Sequence, residues 1–220
     1  MTLIELVVAM AAGMIVFAGL TSMVVASLHQ SNRVTRRVHA TQEARLTVQR
    51  IVTELHSSCV ASEVAPIQAD SSGTSIGYVY QTGSGAALTP VVHRVFLTGT
   101  TLFLSTYPST SGSTPEWKFS ETASSTITLM TNVSPAAAGK PVFTYYKYEN
   151  GQIPSTPMGA EPSLGAANAI RAVKVNIALK VTPPGVSAGA EKLPAIVQDS
   201  ALLRFTPPGT KTSALNLPCE

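Results

Sequence analysis

Between Leu6 and Leu28 the chain carries no charged residue, and immediately ahead of that run stands a lone carboxylate, Glu5. The run is longer than the roughly 18 apolar residues that mark a candidate membrane span. It is apolar all the way round, as a helix surrounded by lipid or by other helices must be. A simple secretory signal begins with basic residues and stops sooner, whereas here no Lys or Arg precedes the run. A carboxylate one turn into such a helix costs about 2.5 kcal/mol or more, so it persists only if neutralised or partnered. The nearest candidate partner is an α-amino group at Met1, either its own or that of a neighbouring parallel helix. In a low-dielectric bundle that attraction would fix the axial register between subunits, and leaving one partner unpaired would be strongly unfavourable. An ordinary single-pass anchor is the plainer alternative, and it leaves Glu5 without a role.

Composition changes at His29. From there to Ser58 the chain is free of Gly and Pro and rich in Arg, Gln and Glu. Val34, Val38, Val48, Val52 and Leu55 recur at helical spacing, with Leu46 and Ile51 widening the stripe. Arg45 falls inside that stripe, so its stem must snorkel or its head must meet a partner. The spacing predicts one continuous helix from about Thr2 to about His56, roughly 80 Å long.

After Cys59 the texture becomes Ser-, Thr-, Gly- and Pro-rich, with short β-branched and aromatic runs between. Strands are expected at 76–81, 91–98, 101–107, 125–131, 142–148, 169–181 and 195–205, with turns at Gly99 and at Asn150-Gly151. The long loops between them read as surface excursions. The whole is an α+β chain: a long N-terminal α-helical spine packed on an antiparallel β-rich globular head. Three parts follow, a hydrophobic helix over 1–28, an amphipathic helix packing on the head over 29–58, and a β-rich head with long loops over 59–220.

The residues MTLIELVVAM resemble the mature N-terminus of type IV pilins and of the related type II secretion pseudopilins. In that family a basic leader is cut just before an aliphatic or aromatic residue followed by TLIEL. The motif maps onto Met1, Thr2, Leu3, Ile4 and Glu5. The resemblance implies that prepilin peptidase processes the chain and that Met1 is a methylated N-terminus. It further implies that subunits wait in the cytoplasmic membrane until assembly machinery extracts them, whereupon the helices polymerise with identical subunits. Met1 and Glu5 are then the assembly pair. Gly13 and Gly19, the weakest helix formers of the span, mark a segment up to Ser22 expected to unwind in the filament. A looser resemblance, in FTYYKYENGQI, IRAVKVNIALKV and VQDSALLRF, is to the heads of larger minor pilins.

Several alternatives stay open. The chain is either the structural subunit of an extracellular filament serving motility or adhesion, or a minor pilin or pseudopilin that primes assembly or caps a tip. A membrane-tethered binding module is a third reading. Arg33, Arg36 and Arg37 flank the apolar run on its C-terminal side, which under the positive-inside tendency would place the remainder in the cytoplasm. The two cysteines, a sequon at Asn132 and the Ser/Thr-rich head argue for export, and removal of a basic leader reconciles the two. The arginines, with Arg45 and Arg50, read as meeting lipid headgroups or nearby Glu43 and Glu54. DNA is the rival partner, but no aromatics interleave with them.

Cys59 and Cys219 are an even pair without C-x-x-C spacing, which allows one long-range disulfide clamping head to spine, or else two buried thiols. His29, His39, His56 and His93 lack metal-ligand spacing, and Asp70 and Asp199, the only aspartates, flank no nucleophile–base pair. No cofactor, metal or catalytic residue is expected. A net charge of +3 is too mild to indicate a nucleic-acid protein by itself.

Overall fold

The computed structural model describes residues 2–59, 65, 67–82, 89–112, 117–184 and 194–203. One helix dominates it. Helix α1, Leu3–His56, is unbroken over 54 residues, about 80 Å at 1.5 Å per residue. It contains no proline, and both of its glycines, Gly13 and Gly19, sit in open space. The last turn ends at Ser57, whose N–H is taken up by the carbonyls of Thr53, Glu54 and Leu55.

Two antiparallel sheets follow. The first contains β1 (Ser75–Thr82), β2 (Thr89–Thr98), β3 (Thr101–Ser111), β4 (Lys118–Phe119) and β5 (Ser125–Thr131). These run in the order β1-β2-β3-β4, with β5 pairing the other end of β3. Strands β2 and β3 form a hairpin closed at Thr98–Thr101, where Gly99 takes a φ of 59°. A two-residue hairpin turn asks for that sign, which costs glycine nothing.

The second sheet contains β6 (Val133–Pro135), β7 (Phe143–Tyr146), β8 (Lys174–Val181) and β9 (Ala195–Leu202). Here β8 is central, with β9 along one side and β6 and β7 end to end along the other. Its residues Val175, Ile177, Leu179 and Val181 are buried, and the alternate positions are half-buried. That period of two is what the sequence promised for a strand with one packed face. The predicted start of this strand at 169 is too early. Residues 166–169 form the short helix α2, and regular pairing begins at Lys174. Two other boundaries also move: β7 ends at Tyr146, and β3 runs on through Pro108 to Ser111.

The sheets are joined closely. Asn132, at a φ of 57°, turns the chain from β5 directly into β6. Gly73 accepts hydrogen bonds at its carbonyl from the N–H groups of Val142 and Phe143. A Cβ on Gly73 would lie 2.7 Å from Glu161 Oε1 and 2.8 Å from Pro141 Cβ, so only glycine fits this approach. The Tyr145 hydroxyl, carried by β7, donates to the carbonyls of Ser72 and Ser75 at 2.9 and 3.0 Å. Burial raises its pKa and keeps it a donor.

One apolar core fills the space between both sheets and the lower part of α1. The helix contributes Ala40, Ala44, Thr47, Val48, Ile51, Val52 and Leu55. Docking therefore starts at Ala40, not at the head of the amphipathic stretch. Val34 is 61% exposed, Val38 47% and Leu46 67%. Val48, Ile51, Val52 and Leu55 of the same stripe do dock, and β9 is the strand α1 packs on most extensively. Ala40 and Ala44 share the buried core with Val197 and Ala201 of β9.

Candidate functional site

The upper part of α1 is the first candidate. Every described residue from Thr2 to His39 is exposed, including all the large apolar side chains from Leu3 to Leu28. This is a helix long and apolar enough to cross a membrane. Its few polar side chains need no solvent. The Thr21 hydroxyl donates to the carbonyls of Phe17 and Ala18 at 2.7 and 3.1 Å, and Ser22 donates to Gly19 at 2.8 Å. In a medium without water that internal satisfaction is what makes them tolerable.

Glu5 has a partner within its own chain. The N–H of Thr2 donates to Glu5 Oε2 at 2.9 Å, and the N–H of Glu5 reaches back to Thr2 Oγ1 at 3.4 Å. This is a capping box, with Thr2 at the N-cap and Glu5 three residues in. The carboxylate also lies in the first turn, where the helix dipole favours negative charge. The T-x-x-E spacing is legible in the sequence, so this role for Glu5 was open to a sequence reading that looked for caps. It supplies the partner that a plain anchor lacked. Met1 lies outside the described residues, and with it the proposed pairing of its amine.

Gly13 and Gly19 are in regular helix in the single chain. Unwinding between Gly13 and Ser22 would therefore have to be a property of the assembled state. Asn132 is exposed at the turn between β5 and β6, with its side-chain amide donating to Thr131 Oγ1 at 3.3 Å. Cys59 is buried and disulfide-bonded. Cys219, the second cysteine of the expected bridge, lies outside the described residues. Arg45 is exposed and lines a groove of about 430 Å³ between α1 and β9, together with Val48, Gln49, Ile196 and Asp199.

A second constellation sits where the spine ends. The last full turn of α1 places Glu54 against the inner face of the β1–β2 hairpin. Its Oε2 accepts from the Tyr78 hydroxyl at 2.8 Å and lies 2.8 Å from His93 Nδ1, while Oε1 accepts from Arg50 Nε at 3.0 Å. Tyr78 and His93 are cross-strand neighbours on β1 and β2. The ring of Tyr80 stacks on His93 with centroids 5.0 Å apart, and Tyr78 meets it edge-on at 6.0 Å. The side chains of His93 and Glu54 are 8% and 13% exposed. Burial by itself would lift the Glu54 carboxyl, but the hydrogen bonds from His93, Arg50 and Tyr78 outweigh it and hold the group below its ordinary 4.5. An ionised carboxylate accepts only, so His93 carries its proton on Nδ1. Tyr78 is pushed well above its ordinary value, first by burial and then by the adjacent Glu54 charge.

Sequence reasoning reaches only one edge of this junction: it reads Arg50 as meeting lipid headgroups or a nearby glutamate, and Arg50 meets Glu54 at i,i+4. His93 and Tyr78 lie 39 and 24 residues from Glu54, and nothing local connects them. Among the described residues no group of three His, Cys, Asp or Glu side chains could hold a metal ion.

No family model, no curated protein and no solved structure matches this chain. The class therefore rests on architecture: a long N-terminal apolar helix packed through its lower third on a β-rich head, which is compatible with a pilin-like subunit.

Proposed function

We propose that the chain is a structural subunit of an extracellular type IV pilus-like filament. It is held in the cytoplasmic membrane by α1 before assembly and polymerises with identical subunits through the same helix. The observation that carries this reading is the division of labour along one unbroken helix. Its lower third is committed to the head by a buried stripe from Ala40 to Leu55, and its upper half is bare, apolar on every side and internally satisfied. Such a surface is stable in lipid or against copies of itself, and exchanging one for the other changes little hydrophobic energy. Small residues, Ala9, Ala11, Ala12, Gly13, Ala18 and Gly19, allow parallel helices to approach closely. Glu5 then selects the register by pairing with an N-terminal amine across subunits. A prepilin peptidase and an assembly motor are the partners this route requires.

The test is expression in a bacterial host that carries pilus assembly machinery, followed by shearing and mass spectrometry of surface filaments. Filaments built mainly of this chain are expected, and Glu5→Ala should leave the chain in the membrane while abolishing them. A few copies per filament would make it a priming or tip subunit instead. A chain that stays in the membrane, absent from filaments whatever stands at position 5, would overturn the proposal.

A further inference from the structure

Strand β5, Ser125–Thr131, pairs with β3 along one side, and among the described residues its backbone pairs with nothing along the other. The remaining long edges are covered. The outer side of β1 receives the N–H groups of Cys59 and Gln68 at the carbonyls of Val79 and Gly77. On the outer side of β7 the Met158 N–H donates to the Tyr145 carbonyl. Strand β9 lies against α1. A bare edge presents a row of unpaired N–H and C=O groups, and charged residues or proline are the usual means of blunting it. Neither is found on β5: no charged residue occurs between Glu121 and Lys140, and Ser125 to Thr131 contains no proline. Its one interruption is a bulge at Leu129, which leaves Ser125–Thr128 in straight register with Phe103–Thr106.

Ile127 shows what that edge lacks. Its cross-strand partner on β3, Leu104, is 4% exposed, whereas Ile127 is 44% exposed. Residues opposite each other share a face of the sheet, so Ile127 lies on the core side, at a margin where the sheet stops. Thr126 is on the other face, its hydroxyl 2.6 Å from that of Ser105, and Thr128 joins it two residues on. We propose that this edge pairs antiparallel with the β5 edge of a second copy of this chain, around a twofold axis at Ile127. In that register Ile127 stands opposite the partner's Ile127, and each Thr126 stands opposite a Thr128. Apolar pairs and Thr–Thr pairs are both favourable across strands, and the twofold closes the contact on itself. The strand is thus complementary to its own copy in side chains as well as in backbone, which is why a second copy, and not an unrelated peptide, is the occupant. A single seven-residue pairing is small beside the roughly 1,200 Å² that a stable interface buries. Free chains therefore pair weakly, and the pairing strengthens where copies are held side by side. It belongs to the head alone and does not depend on the membrane or filament reading.

The experiment is hydrogen–deuterium exchange, read by mass spectrometry on the full detergent-solubilised chain over a range of protein concentrations. Amides protected only in the paired state slow about tenfold when the chain stands at ten times the dissociation constant. That slowing should fall on the peptide covering 125–131 and leave β8 unchanged. I127K and I127E each set like charges opposite one another and should abolish it, while an equimolar mixture of the two should restore it. Unchanged exchange in β8 of both variants would show that they fold. Exchange over 125–131 that is independent of concentration overturns the proposal. So does a concentration dependence that I127K retains, or one that the mixture fails to restore. Slowing confined to α1 would mean that copies meet through the spine, which overturns the proposal and leaves the filament reading standing.

Discussion

His93 Nδ1 lies 2.8 Å from Glu54 Oε2 although 39 residues separate them in sequence. One group ends the spine and the other belongs to the second strand of the head, so the contact ties the two together at a polar point inside an otherwise apolar interface. Glu54→Gln keeps the shape and removes the charge that His93, Tyr78 and Arg50 all address. Hydrogen bonds to a charged group contribute about 1.5–3 kcal/mol, and the exposure of Arg50 and Glu54 places the expected loss near the lower end. Thermal unfolding of the detergent-solubilised chain should show a fall of about 3–6 °C, at about 2–4 °C per kcal/mol. A change within a degree would mean that the junction contributes nothing net.

The same group sets an acid limit. The Glu54 carboxyl is held below its ordinary 4.5 in the folded chain, so the folded state prefers it ionised. Its stabilisation is therefore complete above that ordinary value and is lost as pH falls through the lower, folded value. Stability measured against pH should drop on the acid side of 4.5, and Glu54→Gln should flatten part of that drop. An unchanged acid limb in the variant would count against the junction as its source.

Glu5 has two candidate jobs, and the amide separates them. Glu5→Gln retains a side chain that can close the capping box with Thr2, but it carries no charge to meet an amine. Filament assembly lost in Glu5→Gln assigns the residue to pairing between subunits; assembly preserved in it but lost in Glu5→Ala assigns it to the cap. Thr2→Ala should weaken the first turn by about 1 kcal/mol, read as faster amide exchange at the N-terminal end of α1.

Ala44 is completely buried and Leu46 is 67% exposed. Ala44→Leu should overpack the contact with β9 and cost about 1–3 kcal/mol. Leu46→Ala should stay within about 0.5 kcal/mol of wild type. Chemical denaturation followed by tryptophan fluorescence would check both, and the reverse order would contradict the observed docking face.

Much of this protein was legible before any coordinates. The charge-free run, the uninterrupted helix to His56, the α+β order, the Asn150-Gly151 turn (Asn150 and Gly151 at φ of 51° and 78°) and the alternation along β8 are all local consequences of composition and period. The capping box was equally local, though it took the structure to draw attention to it. What the sequence could not decide is where along the spine docking begins. The stripe read by hydrophobicity puts Val48, Ile51, Val52 and Leu55 on the buried face, as found, but it also takes in Val34, Val38 and Leu46, which are exposed, and passes over Ala40 and Ala44, which are buried. Nor could it place His93 and Tyr78 on Glu54, since strand pairing, not chain proximity, brings them there. The sequence alone determined a bare apolar helix bearing a β-rich head; the tertiary structure decided where the two are locked, since buried packing and buried charge depend on neighbours distant in the chain.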